Sequence, residues 1–512
     1  MTISANMTDG QLDRMALQAY QRGDDETLAG IARMIGVDMA TLKSSVAGCV
    51  AQARNNEPLV LDPSAPLDIA RRYVEDQHTH ASHRTLHCQG GQFYRWDGPA
   101  YAAWDIEAVR ASIYRYCESA KTEAALKDGD IGLRPFKPTK RKVDEVFDAL
   151  RAVGNLPTSI PAPSWLDGRE HPPASEVLPM QNGLLHLPTL KLYDANPLFY
   201  ARHAIGFPFD PEAPEPKRWH EFLGQLWPDD PASIFTLQEV FGYLLTTDTS
   251  LQKIFLLCGP KRSGKGTIYR ILRRLLGEAN VCGPTLSGLG QQFGLQPLLG
   301  KLLAVISDAR LGRHSDTATI AERLLSISGE DAVSIPRKFM PDVTAKLPTR
   351  FMVLTNELPR LDDASGALAS RFVVLTLTNS FYGREDPRLT DRLAEELPGI
   401  LLWAVEGLHS LTARGRFEMP ESSVEAVREL EDLASPVGAF IREQCVVAPE
   451  QQIKASELYR AWRDWCDDSG WQHPSTDATF RRDLRAAVSS LTTTRPNWAN
   501  KRTVYRGIGL DG

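Results

Sequence analysis

The stretch IFLLCGPKRSGKGTIYRILRRLLG, residues 254–277, decides the fold that we expect for this chain. The apolar run IFLLC predicts a buried strand, and IYRILRRLLG has apolar residues three and four apart, which predicts a helix. Between them lies a glycine-rich loop whose backbone N–H groups can point at phosphate oxygens, with a lysine reaching the β- and γ-phosphates. The sequence therefore predicts a P-loop that binds a nucleotide through Gly259, Pro260, Lys261, Arg262, Ser263, Gly264, Lys265, Gly266 and Thr267.

The loop departs from the usual P-loop pattern at one position. Gly266 follows the lysine, where a serine or threonine is usual, and the hydroxyl comes one residue later, at Thr267. Thr267 is the candidate magnesium ligand within the loop. The ending GKGT also resembles that of nucleoside monophosphate kinases, so the loop alone does not separate an ATPase motor from a small-molecule kinase.

Composition and charge exclude several other classes of protein. The chain has 512 residues, 42% apolar and 24% charged, which is typical of a soluble globular protein of about three or four domains. Its 58 basic and 64 acidic residues give a net charge of −6, so a nucleic acid would have to meet a locally basic surface. The apolar runs are much shorter than the ~20 residues that cross a bilayer, and the N-terminus has no secretory features. We expect a cytoplasmic protein without membrane contacts.

Polar residues close or precede three further apolar runs. KLLAVISDARLG (301–312) ends its strand pattern at Asp308, a candidate magnesium ligand beside the loop. FMVLTNELPRL (351–361) ends its strand pattern at Thr355 and Asn356, and the Asn356 amide can donate to a γ-phosphate and hold a water. Arg371 precedes one more strand and can reach the phosphates of a neighbouring subunit, as arginine fingers do. The candidate catalytic residues are Lys265, Asp308, Asn356 and Arg371.

These motifs together resemble superfamily 3 helicases of the phage and plasmid primase-helicase family. The resemblance is carried by GPKRSGKGT, ISDAR, LLSISGEDAVSIPRKF, FMVLTNELPRL and SGALASRF, in this order. QNGLLHL and LQEVFGYLL, upstream of the loop, resemble the poxvirus-type helicase-associated region. The resemblance implies an AAA+-like P-loop ATPase with a parallel sheet, binding ATP and Mg²⁺ at the subunit interfaces of a ring that is usually a hexamer. It also implies single-stranded DNA in the central channel, and it nominates Arg337 and Lys338 as DNA contacts.

The C-terminal part has the outline of a winged helix, with two amphipathic helices followed by a short strand, RTVYRGIGL. Residues 481–506 contain seven basic residues and one acidic residue, a net charge of +6. Arginines on a helix suit contacts to DNA phosphates, which position a protein without specifying sequence. Arg481, Arg482 and Arg485 are therefore candidate DNA-binding residues.

The sequence thus predicts an α/β protein of four domains. They are an N-terminal helical module (1–60), an α+β helicase-associated module (67–215), the ATPase domain (216–412) and a winged-helix DNA-binding domain (413–512). About 60 residues before the associated module are too few for a primase domain, so we expect a separate primase or replication initiator as partner. The second motif offers one acid, which leaves the catalytic base unassigned, with Glu330 and Asp331 as possible helpers.

The predicted function is that of an ATP-dependent DNA helicase or translocase in the replication of a phage, prophage or plasmid, acting on single-stranded and forked DNA. Two alternatives stay open at this point. One is a P-loop kinase for a small molecule, and the other is a nucleotide-switched DNA-binding loader that does not unwind DNA.

Overall fold

The computed structural model describes residues 15–16, 19, 25–35, 39, 42, 58–125, 130–307, 317–338, 340–359, 367–469, 475–495 and 502–511. The chain divides into two compact units. One comprises Met1–Phe93 and Trp104–Leu156, and the other comprises Tyr94–Ala103 and Pro157–Gly512. The predicted division into four domains stays a prediction. In the described part of the chain no helix has the length and apolarity needed to span a membrane.

The first unit is built on helices that bury one apolar face. Its described helices are Asp25–Ile35, Pro66–Gln77, Ile106–Glu118 and Lys140–Val153. The side chain of Asp105 caps the third of them by accepting hydrogen bonds from the N–H groups of Glu107 and Ala108. Tyr73, Ile113 and Val143, one from each of the last three helices, lie fully buried in a shared core. The strands between residues 58 and 156 are Thr79–His80, His83–Arg84, Leu86–Gln89, Gln92–Trp96, Tyr101–Trp104, Lys121–Ala125 and Ile131–Pro135; residues 94–103 within this range belong to the second unit.

The second unit begins with short antiparallel pairs. Ser164–Trp165 pairs with Phe199–Tyr200, and the strands Val177–Met180, Gly183–His186 and Lys191–Tyr193 form a three-stranded meander. The first turn of the meander contains the pair Asn182-Gly183. A Cβ on Gly183 would lie 2.3 Å from the Tyr193 carbonyl oxygen, and its φ of +152° favours glycine, so the turn requires this residue.

A five-stranded parallel sheet forms the centre of the second unit, which confirms the predicted mixed α/β class. Its strands are β1 (Ile254–Cys258), β2 (Val281–Cys282), β3 (Leu303–Ile306), β4 (Arg350–Thr355) and β5 (Phe372–Thr376). They lie in the order β2-β3-β4-β1-β5. Alternate residues of each strand enter two separate cores, so that Leu257 lies on one face and Leu256 on the other. The strands are apolar without interruption because both faces of the sheet are covered.

Helices cover the two faces. They are α1 (Lys217–Leu226), α2 (Pro231–Leu245), α3 (Lys265–Leu276), α4 (Thr317–Ser328), α5 (Leu389–Ala394), α6 (Leu397–Arg414) and α7 (Glu421–Ala434). Leu286–Leu289 is a further short helix. α2 and α6 cross closely because each places a glycine at the contact. A Cβ on Gly242 would lie 2.3 Å from the Ala404 carbonyl oxygen, and one on Gly407 would lie 2.4 Å from that of Gln238.

Two smaller elements complete the second unit. An antiparallel hairpin, Val333–Arg337 with Met340–Ala345, follows α4. The C-terminal elements run in the order helix Pro436–Gln444, strand Cys445–Val446, strand Gln452–Lys454, helix Ala455–Asp468, helix Asp477–Ala487, and strands Thr492–Thr494, Val504–Arg506 and Gly509–Leu510. In their three-stranded sheet, Val504–Arg506 lies between the other two strands, and its aromatic Tyr505 is buried with Trp462 and Phe480.

Candidate functional site

The glycine-rich loop, residues 259–264, connects the carboxyl end of β1 to α3. The Gly259 N–H donates to the Thr355 carbonyl at 3.3 Å, which ties the loop to the end of β4. A Cβ on Gly259 would lie 2.4 Å from the Leu377 carbonyl oxygen, so no other residue fits there without movement. Arg262 and Gly264 have φ values of +61° and +96°, and these left-handed conformations turn the chain into the helix.

Lys265, the first residue of α3, folds its side chain back over the loop. Its Nζ donates to the carbonyl oxygens of Gly259 at 2.6 Å and Pro260 at 2.9 Å, and to Ser263 Oγ at 3.2 Å. It also lies 3.3 Å from Asn356 Oδ1. Burial lowers the pKa of this ammonium group, and none of the described carboxylates forms an ion pair with it. The structure therefore brings two of the predicted site residues, Lys265 and Asn356, into direct contact.

The loop opens on a cavity of about 1260 Å³ in the second unit. Its lining contains eight basic and four acidic side chains, a net charge of +4 in a chain whose net charge is −6. The basic residues are Arg218, Lys261, Arg262, Lys265, Arg270, Arg274, Arg384 and Arg392, and the acidic ones are Glu221, Glu385, Asp386 and Asp391. A concave surface with this excess of cations attracts an anion.

The segment after β5, residues 380–392, forms hydrogen bonds and an ion pair with the loop. The Phe381 N–H donates to the Arg262 carbonyl at 2.9 Å, and Ser380 Oγ donates to the Lys261 carbonyl at 2.8 Å. Arg262 Nε lies 3.3 Å from Glu385 Oε1. These bonds hold the left-handed turn at Arg262 in place, and residues 381–392 thereby line one side of the cavity.

Thr267, the candidate magnesium ligand in α3, lies in the same cavity. Its N–H donates to the Gly264 carbonyl at 2.9 Å, and its hydroxyl accepts from Arg270 Nη2 at 3.2 Å. A guanidinium beside this hydroxyl does not favour a second cation at the same oxygen. The other predicted metal ligand, Asp308, lies outside the described residues; β3, which leads to it, ends at Ile306 and pairs with β4.

Arg371 lies at the opposite edge of the sheet from the loop. It precedes β5, and the first residue of β5 pairs with the first residue of β1, so Arg371 lies at the amino-terminal edge of the sheet. The loop follows the last residue of β1 and lies at the carboxyl edge. At ~3.3 Å per residue the two edges are roughly 13 Å apart along the strands. Arg371 Nη1 donates to Ser328 Oγ at 3.1 Å, and Arg371 does not line the cavity around Lys265. Burial, with Arg371 nearby, lowers the pKa of Lys253 at the same edge.

Glu330, considered from the sequence as a helper in catalysis, also lies away from the cavity. Its Oε1 accepts from Thr249 Oγ1 at 2.5 Å and pairs with Lys346 Nζ at 2.7 Å. The hydrogen bond from Lys346 lowers the pKa of this carboxyl. Glu330 therefore holds the base of the hairpin, and it does not line the cavity at the loop of its own subunit. The sequence could not show this, because the turn after α4 carries Glu330 to the amino-terminal edge of the sheet.

The predicted DNA-binding residues lie on two elements, the hairpin after α4 and a helix of the C-terminal part. Arg337 and Lys338 are at the tip of the hairpin, where Arg337 pairs with Met340 and the Lys338 N–H donates to Gln296 Oε1 at 3.2 Å. Arg481, Arg482 and Arg485 are exposed on the helix Asp477–Ala487. Carboxylates of the same helix neutralise two of them, because Arg481 Nη2 lies 2.5 Å from Asp477 and Arg482 Nε lies 3.0 Å from Asp483.

The sequence reasoning missed Arg270 and the segment 381–392 as parts of the cavity. A signal for Arg270 was present, because a residue three positions after Thr267 on a helix shares its face. The segment 381–392 left no such signal, since it reaches the loop through a backbone hydrogen bond from Phe381 and an ion pair from Glu385, and neither contact follows a spacing in the sequence.

Two family models match parts of the chain. Residues 69–228 match a family described as D5 N terminal like, and residues 257–371 match DUF5906, a family of unknown function. Neither model covers half of the chain.

Three solved structures of the NrS-1 C-terminal region are similar to this chain. They are two A-form apo structures and a further apo structure, with sequence identities of 12%, 12% and 11%. The similarity covers 87% of this chain in each case, and 100%, 99% and 99% of the other chains. The TM-scores are 0.48, 0.45 and 0.46.

Proposed function

We propose that this protein is an ATP-dependent DNA helicase or translocase of the superfamily 3 type, working in phage, prophage or plasmid replication. The observation that carries the proposal is the Lys265 ammonium group, held over the glycine-rich loop at the carboxyl edge of a parallel sheet and touching Asn356. The match of residues 69–228 to the N-terminal part of a primase-helicase family supports the assignment to replication. A separate primase or a replication initiator is the proposed partner.

The loop and its surroundings suit the phosphates of a nucleotide. Lys265 is held by carbonyl and hydroxyl oxygens and has no described carboxylate partner, so an anion in the cavity would supply its missing counter-charge. The amino-terminal end of α3 adds a partial positive charge at the same place. We propose ATP as the ligand, with Mg²⁺ entering on its phosphates and retaining several of its waters.

Asn356 is the proposed sensor of the γ-phosphate. It follows the last residue of β4, which lies next to β1, and its Oδ1 lies 3.3 Å from Lys265 Nζ. Its amide can donate to a phosphate oxygen and orient an attacking water at once. Asp308, after β3 in the same sheet, is the proposed acidic residue of the reaction and metal ligand.

The position of Arg371 supports a ring of subunits. Because Arg371 lies at the other edge of the sheet from its own loop, it can reach a nucleotide only if that nucleotide belongs to a neighbouring subunit. A guanidinium supplied in this way stabilises the charge that develops on the transferred phosphoryl group. We propose that ATP is hydrolysed at the interfaces of a homo-oligomeric ring, with the hexamer of the resembling family as the expected size.

Two elements are proposed to contact DNA. The hairpin tip with Arg337 and Lys338 would meet the single strand in the ring. From Gln452 to Arg506 the order is strand, helix, helix, strand, strand, as in a winged helix, and the strand Gln452–Lys454 pairs with Val504–Arg506. The helix Pro436–Gln444 precedes these elements, and the short strand Cys445–Val446 lies between it and them. Arg481, Arg482 and Arg485, on the second helix of the adjacent pair, would contact the duplex part of a fork.

Strand displacement on a labelled forked DNA tests the proposal against its two alternatives. We expect the purified protein to release the labelled strand only with hydrolysable ATP and Mg²⁺, and to hydrolyse ATP faster when single-stranded DNA is added. A small-molecule kinase would be indifferent to DNA. A nucleotide-switched loader would bind the fork without displacing a strand, and either of these results would contradict the proposal.

A further inference from the structure

Arg270 occupies the space that Gly266 leaves open in the first turns of α3. An ideal Cβ built on Gly266 would lie 3.3 Å from Arg270 Nη1, which is closer than most Cβ contacts. The usual P-loop has a serine or threonine at this position, and its hydroxyl binds Mg²⁺. In this chain a guanidinium lies where that side chain would be.

Two hydrogen bonds from the protein orient Arg270 toward the loop. Its Nε donates to Thr390 Oγ1 at 3.1 Å, at the start of α5, and its Nη2 donates to Thr267 Oγ1 at 3.2 Å. Both acceptors are neutral hydroxyls. The remaining nitrogen, Nη1, has no hydrogen-bond acceptor among the described residues, and the side chain lines the cavity that contains Lys265.

Most arginines of the cavity pair with a carboxylate, whereas Arg270 and Arg384 have no such pair among the described residues. Arg262 pairs with Glu385, Arg274 with Asp391, Arg392 with Asp386 and Arg218 with Glu395. Within the described part of the chain, no carboxylate lies within ion-pair distance of Arg270. A cation that is oriented by two hydroxyls and has no counter-ion is arranged for an anionic ligand.

We propose that Arg270 binds the phosphates of the nucleotide from within the same subunit, as a second cation beside Lys265. This inference rests on the proposed function and adds a residue to its site. A guanidinium presents a planar set of donors that matches two phosphate oxygens at once. Because Arg270 supplies positive charge where the usual loop supplies a magnesium ligand, nucleotide binding by this protein should depend less on Mg²⁺ than binding by a loop with serine or threonine at that position.

The test is the affinity for a fluorescent ADP, measured in Mg²⁺ and again in EDTA, for wild type, Arg270→Ala, Arg270→Lys and Arg273→Ala. Arg273 is the matched control, since it lies on the same helix but pairs with Glu278 and does not line the cavity. Arg270→Ala should weaken ADP binding about tenfold in Mg²⁺ and more strongly in EDTA, because charge-assisted hydrogen bonds to phosphate are lost. Arg270→Lys should recover part of the loss, and Arg273→Ala should bind like wild type.

Three results separate the possible failures. Equal affinity of Arg270→Ala and wild type under both conditions overturns the inference about Arg270. An equal loss in Mg²⁺ and in EDTA also overturns it, since a purely structural role would not change the dependence on Mg²⁺. If wild type fails to bind ADP under both conditions, the proposed function itself fails. A thermal melt of each variant shows that the comparison concerns folded protein.

Discussion

Replacing Lys265 with alanine is expected to lower ATP turnover by about a thousandfold, with the fold unchanged. The Nζ of Lys265 lies 3.3 Å from Asn356 Oδ1 and donates to the carbonyls of Gly259 and Pro260, so the substitution removes a positive charge beside both the loop and Asn356. The loop should keep its shape in the variant. Its conformation is set by Gly259, by the turn at Arg262 and Gly264, and by the bonds from residues 380–381.

The rate of phosphate release under saturating ATP and DNA measures this effect. Lys191→Ala is a suitable control, because Lys191 is an exposed lysine whose Nζ lies 4.7 Å above the Tyr193 ring, outside the cavity. Turnover in Lys265→Ala at the wild-type rate, in a protein with an unchanged melting temperature, would remove Lys265 from the site.

Arg371→Ala is expected to keep nucleotide binding and to lose turnover by roughly a thousandfold, the range known for arginine fingers. The physical reason is its position at the amino-terminal edge of β5, across the sheet from its own loop. ADP affinity should therefore match wild type, in contrast to the effect of changing Lys265 or Arg270. Turnover and ADP binding measured on the same preparation separate the two effects.

Mixing experiments decide whether Arg371 acts on a neighbouring subunit. Arg371→Ala and Lys265→Ala proteins, each inactive alone, should regain part of the activity when mixed, because some interfaces then combine an intact loop with an intact arginine. Each variant alone, at the total protein concentration of the mixture, serves as the control. Activity that stays at the level of the separate variants at every mixing ratio would contradict action in trans.

The strand, loop and helix around residues 254–277 were predictable because their signals are local. The apolar run and the helical spacing predicted β1 and α3, and the structure has them at Ile254–Cys258 and Lys265–Leu276. The contact between Lys265 and Asn356 follows from topology, since parallel strands carry the residues that follow them to one edge. The same reasoning, applied to the residue before a strand, places Arg371 at the other edge.

The rest of the site depends on tertiary contacts that sequence patterns do not record. Residues 381–392 reach the loop more than 100 positions away in the chain, through backbone bonds such as that from Phe381 to Arg262. Glu330 is an acid close to the other motifs in the sequence, but its carboxylate bonds Thr249 and Lys346 and holds the base of the hairpin. In the sequence Arg270 is one of three arginines on α3. The structure distinguishes it, because its guanidinium lies beside Gly266, which has no side chain.

Hydrogen exchange of the loop, measured by mass spectrometry with and without a non-hydrolysable ATP analogue, tests the central claim most directly. If backbone N–H groups between Lys261 and Gly266 bind phosphate oxygens, peptides that cover this stretch should exchange more slowly in wild type when the analogue and Mg²⁺ are present. The protection should be much weaker in Lys265→Ala. Unchanged exchange of these peptides at saturating analogue would show that the loop does not hold the triphosphate, and the account would be wrong.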